Sequence, residues 1–198
     1  AERRSEILGC PASVQLTRGQ RSSTASQFVY AQCATLNKVV IYTLNSVGIV
    51  LSTSTISNVW IHRHDGRKPP FISVHDVALS DMGGMSVYVD ADRQVRARGI
   101  DDTGRAISLE RVVSSPIEGV SSTAVDASPD RYGVVFTAEH AGVPDAALYF
   151  VALDQNANPL GTPIQLVQPG GAKSRQNLEV AWDGQAWIVL WQDTAGQI

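Results

Sequence analysis

Four segments of this chain align on one another without a gap over a twelve-residue core, and this repetition constrains the fold more than any other feature. They are Ala31 to Tyr42 (AQCATLNKVVIY), Val77 to Tyr88 (VALSDMGGMSVY), Val125 to Phe136 (VDASPDRYGVVF) and Val180 to Trp191 (VAWDGQAWIVLW). Each begins on a small or β-branched residue, carries turn formers in its middle and ends on an aromatic: Tyr42, Tyr88, Phe136, Trp191. That pattern predicts strand, tight turn, strand. The segments start at 31, 77, 125 and 180, which are 46, 48 and 55 residues apart.

A second unit lies between these hairpins. VRARGIDDTGRAIS (Val95 to Ser108) matches LYFVALDQNANPLG (Leu148 to Gly161), with DDTG and DQNAN as turns, and a last strand follows in LERVV or IQLV. Each period then holds about four short antiparallel strands, A to D, and no amphipathic helix. The segment from Gly48 to His64 should supply strands C and D of its unit, but its turn signals are poor. The expected fold is all-β: a β-propeller of four-stranded antiparallel blades, with a β-sandwich as the alternative. WIVLW is apolar at every residue, so the last hairpin should be buried on both faces, as in a sheet packed between two others. The final aromatic of each hairpin should wedge between neighbouring blades.

The approximate units are a leading strand D in 1–20, blades over 26–68, 71–115 and 121–168, and a trailing A–B hairpin over 176–198. The leading strand follows from a second match, LGCPASVQL (Leu8 to Leu16) against LGTPIQLV (Leu160 to Val167). Counted this way the chain amounts to a partial propeller: about three full blades plus two part-blades. It is expected to be a fragment, or one part of an assembly. The rest of a longer chain, another protein chain or a second copy would complete it by strand addition. A small four-bladed ring is the alternative.

Composition narrows the function classes. Apolar content of 43% in 198 residues supports a globular core. A net charge of −3 gives no general case for nucleic-acid binding, and no apolar run approaches membrane-spanning length. Ile7-Leu8-Gly9-Cys10 has the form of a lipobox but follows AERRSE rather than an apolar segment, so it reads as a turn into a strand.

From about Phe71 to Asp193 the chain resembles bacterial secreted or surface β-propeller repeat proteins, in blades of the form AWDG followed by W.V.W.D and LD..GNPLG. The resemblance implies an extracellular or cell-surface location and a binding or assembly platform. It implies no catalytic set.

Several clusters are candidates for chemistry. His62 and His64 in HRHD sit two apart, so on a strand they would face the same way and share a metal, with His75 or Asp76 as a third ligand. The preferred reading is a connecting loop. Asp154, Asn156 and Asn158 alternate as calcium-loop ligands do, but the bidentate acid is missing and Asn and Asp favour turns anyway. No metal or other cofactor is therefore expected. Arg93, Arg96 and Arg98, with Arg105 and Arg111, concentrate positive charge on the second unit's outer strands, suited to an acidic partner or a glycan, or simply to blunting an exposed edge. Glu139-His140 is a loop pair open to acid–base work or to solvent. No serine elbow or phosphate-binding glycine loop occurs. Cys10 and Cys33 align with an outer and an inner strand, too far apart for a disulfide.

The leading expectation is a non-enzymatic binding or assembly module of the cell exterior. The alternative is a glycan-acting hydrolase or lyase of propeller fold, whose site would lie where loops converge near the central axis.

Overall fold

In a computed structural model the residues described are 13–17, 27–33, 38–44, 50–57, 75–81, 83–101, 104–139, 146–168 and 176–192. They form fourteen strands and no helix. The first sheet takes β1 (Ser13–Thr17), β2 (Gln27–Cys33), β3 (Lys38–Leu44) and β4 (Val50–Ser57). The second takes β5 (His75–Ser80), β6 (Gly83–Val89), β7 (Val95–Ile100) and β8 (Arg111–Val112). The third takes β9 (Val120–Ala127), β10 (Tyr132–Ala138), β11 (Ala147–Leu153) and β12 (Ile164–Val167). A hairpin of β13 (Gln176–Trp182) and β14 (Trp187–Gln192) follows. Every pairing is antiparallel, and neighbours in each sheet are consecutive in sequence.

The four repeated segments are the four hairpins β2–β3, β5–β6, β9–β10 and β13–β14, closing at Cys33↔Lys38, Ser80↔Gly83, Ala127↔Tyr132 and Trp182↔Trp187. Aspartates open several of the connecting turns. Asp90 Oδ1 accepts the amides of Asp92 and Gln94, Asp101 Oδ1 that of Arg105, Asp154 Oδ1 those of Asn156 and Asn158, and Asp183 Oδ1 those of Gln185 and Ala186. A carboxylate that satisfies two turn amides at once makes the reversal local, so each hairpin is specified within its own few residues.

The sheets stack face to face. β5 packs against β9, and β9 against β13, so the first strands of successive sheets gather on one side. β10 is buried on both faces. Val134 and Phe136 join Met85, Val87 and Val95 in a core between the second and third sheets, while Val135 turns the other way to meet Leu178 and Val180 of the last hairpin. A sheet apolar on both faces, held between two others with its first strand innermost, is a propeller blade. The fold is thus an all-β propeller of four-stranded antiparallel blades.

Three details differ from expectation. β1 does not lie outside the first blade as a strand D; it pairs with β2 along Ser13↔Gln32 to Thr17↔Phe28. The alternating pattern of a strand is the same for an inner and an outer position, so its side of the sheet was not legible. The final aromatic is also not alone in wedging against the neighbouring blade. The aromatic at the start of the hairpin's second strand does so too: Trp187 lies against Gly133, whose absent Cβ would meet the indole carbons at 2.8–2.9 Å, and Tyr132 likewise reaches Ser80 of the preceding blade (Oη to Oγ, 3.0 Å). Finally, the last hairpin is covered on one face only. Trp187, Val189 and Trp191 pack on the third sheet, whereas Ile188 and Leu190 are 45% and 50% exposed.

Candidate functional site

The inner edges of the first strands carry acids. Asp76, on β5, is half-buried as a residue but its carboxyl is enclosed: Oδ1 accepts the Val77 amide (2.9 Å) and Oδ2 reaches across the seam to the Val125 amide of β9 (3.0 Å). Asp126, on β9, repeats the device one blade on, accepting the Trp182 amide of β13 at 2.8 Å. The Val125 and Trp182 amides lie on strands whose inner edge has no partner in the sheet, and each is satisfied by a carboxylate of the preceding blade. Glu179 of β13 is exposed and occupies the place in the repeat that Asp76 holds in its blade. Desolvation by burial, opposed by the two amide hydrogen bonds and reinforced by the charges of Asp126 and Glu179, pushes Asp76 up to about 7. Three carboxyl groups from three successive blades therefore share one neighbourhood, and one of them is poised to hold a proton near neutrality.

Beside Asp76, His75 is buried, with Nε2 3.1 Å from Ser86 Oγ. Burial, and then the positive charge of Arg98, lower it to about 3, so it stays neutral. Among the described residues no three His, Cys, Asp or Glu side chains come together as metal ligands. His62, His64, His140 and Cys10 lie outside the described residues, as does the side chain of Cys33.

The arginines of the second unit do not form one cluster. Arg93 sits in the β6–β7 turn at φ 59°, a left-handed conformation that aims it at the next blade. There its guanidinium donates to Gly119 O (2.9 Å), Val120 O (3.2 Å) and Glu139 Oε2 (2.8 Å). Arg96 donates to the buried Asp90 and to Glu110 (3.4 Å). Arg98 stands on the same face of β7 and its charge reaches His75 and Tyr88. These side chains serve contacts inside and between blades. At Asp154 burial alone would raise the carboxyl, but the Asn158 side chain and the Asn158 and Asn156 amides outweigh it and hold the group below its ordinary value. Asp154 Oδ2 takes Asn158 Nδ2 at 2.8 Å, so the loop closes on itself.

Of the inner-edge acids, sequence reading noticed only Asp76, as a metal ligand. Asp126 and Glu179 were missed. The signal that was available is positional: Asp76 and Glu179 each stand directly before an aligned hairpin core.

No protein-family model matches the sequence, and no curated protein does so either. The chain is similar to several solved structures. The native arabinanase of Bacillus subtilis shares 9% identity at a TM-score of 0.49, over 93% of this chain and 68% of that one. A GH43 endo-arabinanase from Bacillus licheniformis shares 8% at 0.46, over 92% and 74%. An exo-1,5-α-L-arabinanase from a bovine ruminal metagenomic library shares 9% at 0.47, over 91% and 67%. No residue role is carried across from them.

Proposed function

We propose that this chain is a glycan-acting hydrolase of propeller fold. The observation that carries the reading is the pair of seam carboxyls, Asp76 and Asp126, each accepting an amide of the next blade, with the charge of Glu179 close enough to help raise Asp76 toward neutrality. Hydrolysis of a glycosidic bond needs one carboxyl that gives a proton to the leaving oxygen and one that activates water or attacks the anomeric carbon. Environments that treat neighbouring carboxyl groups differently are how proteins assign those roles. Asp76 is the acid in this reading. Glu179, exposed to solvent water, is its basic partner, and Asp126 holds the seam and adds negative charge beside the acid.

The binding-module reading is favoured by a different observation: both oxygens of Asp76 accept backbone amides, as a purely structural cap would. Turnover separates the two. The chain is incubated with a panel of polysaccharides, arabinan among them, and new reducing ends are counted. The expected result is turnover on at least one substrate, abolished in Asp76→Asn and Glu179→Gln variants that keep the wild-type circular dichroism. Saturable glycan binding by a folded chain without turnover would leave the binding module in its place.

A further inference from the structure

In the second and third blades the second strand pairs on its outer side with a third: β7 beside β6 and β11 beside β10. Among the described residues β14 has no such neighbour, and its sheet holds two strands. The surface beneath the empty position is already built. Phe150 of β11 and Val167 of β12 lie half-buried against the hairpin's cluster, and Phe150 meets Trp187 with ring centroids 5.9 Å apart. An apolar ledge thus runs out beyond β14 with only one wall above it.

We infer that the outer edge of β14 accepts one more strand: an extended peptide segment, antiparallel to Trp187–Gln192, with apolar residues on both faces. Its backbone pairs with the amides and carbonyls on that edge, groups a helix or an oligosaccharide would leave unmatched. Its inward side chains rest on Phe150 and Val167. Its outward ones extend the stripe of Ile188 and Leu190; Met85 at the place of Ile188, and Val87 and Val135 at the place of Leu190, are fully buried in their own blades. A second copy pairing β14 with β14 about a two-fold axis does not fit. In each copy the space under the added strand is filled by that copy's own β11 and β12, and the symmetric arrangement would drive the two third sheets into each other. The occupant is therefore a strand presented on its own.

The probe is a peptide with the sequence of β11, Ala147–Leu153, carrying a lysine at each end for solubility, titrated into the 198-residue chain. Trp187 and Trp191 border the site, so tryptophan fluorescence reports occupancy and amide hydrogen exchange maps it. A saturable fluorescence change with new protection confined to Trp187–Gln192 is expected. The same peptide with proline at its centre should bind at least about tenfold weaker, because it loses a ladder donor and clashes with the paired edge. Three results would overturn the inference. One is no saturable change with the parent peptide. Another is protection on β8 or β12 instead. The third is β14 amides already protected, in a concentration-dependent way, in the chain alone, which would assign the edge to a second copy. None of these outcomes depends on whether the inner-edge acids turn over a glycan.

Discussion

Replacing Asp76 by asparagine gives the sharpest test of the inner edge. Asn is nearly isosteric, but only its oxygen can accept a hydrogen bond, so one of the amides of Val77 and Val125 loses its acceptor. That costs about 1–3 kcal/mol wherever the wild-type carboxyl is protonated or well satisfied. Against this, the wild-type carboxyl resists ionising in the folded protein: its value is about 7, against an ordinary 3.8. A group whose folded value is raised contributes stability that is full below the unfolded value and is lost as pH rises toward the folded one. The slope is about 1.4 kcal/mol per pH unit, so about 4 kcal/mol is lost across the whole window and about 3 kcal/mol between roughly pH 5 and pH 8. The wild-type curve alone hides this. His75, lowered from 6.5 to about 3, has the opposite sign, its stability contribution rising with pH over much of the same range. The difference between wild type and Asp76→Asn cancels the histidine. Measured by urea unfolding, the wild type should be the more stable at about pH 5, and the gap should close or invert by about pH 8. A wild-type advantage unchanged to within about 0.5 kcal/mol over that range would refute the enclosed, proton-holding carboxyl.

Three further outcomes follow, two from the seams between blades and one from a turn. Gly133→Ala should destabilise by about 1–3 kcal/mol in chemical unfolding, because a Cβ there meets the Trp187 ring at 2.8 Å, while Gly161→Ala, with nothing within 4 Å, should be close to neutral. Arg93→Ala should cost about 1–3 kcal/mol through the stranded carbonyls of Gly119 and Val120, whereas Glu139→Gln, removing only the exposed end of the contact, should cost less than about 1 kcal/mol. Calcium should leave the thermal midpoint unchanged, since the oxygens of Asp154 are engaged within their own turn; a calcium-dependent rise would show that the loop opens to take the ion.

What was legible in the sequence is what is decided within about a dozen residues. The hairpin of Val125 to Phe136 needs Ser128 and Asp130 at its turn and apolar residues on either side, and both are local: Ser128 bonds Arg131 and Asp130 across the turn itself. Its repetition then exposes the blade. Position within a blade is another matter. Ser13–Thr17 has the alternation of an outer strand and the sequence likeness of one, yet it pairs with β2, because strand pairing is set by which unsatisfied edge is near and not by the strand's own pattern. Arg93 reads as outer-edge charge until the left-handed turn residue is seen to send it across the seam. The acids were hidden most completely. Asp76, Asp126 and Glu179 stand 50 and 53 residues apart, each the one acid of its strand, which is also how an ordinary solvent-facing strand position looks. They come near one another only after the sheets stack with their first strands inward. A carboxylate that caps the next blade's free edge must then also lie near the carboxylate that caps the edge after it. The unpaired amides of the innermost strands draw acids there for structural reasons, and the enclosure that makes each cap effective is the same enclosure that keeps a proton on Asp76. On the hydrolase proposed above, acid chemistry would be a by-product of closing the seams, so Asp76→Asn should disturb stability and turnover together, and Glu179→Gln, at an exposed position that caps no seam, should disturb turnover alone.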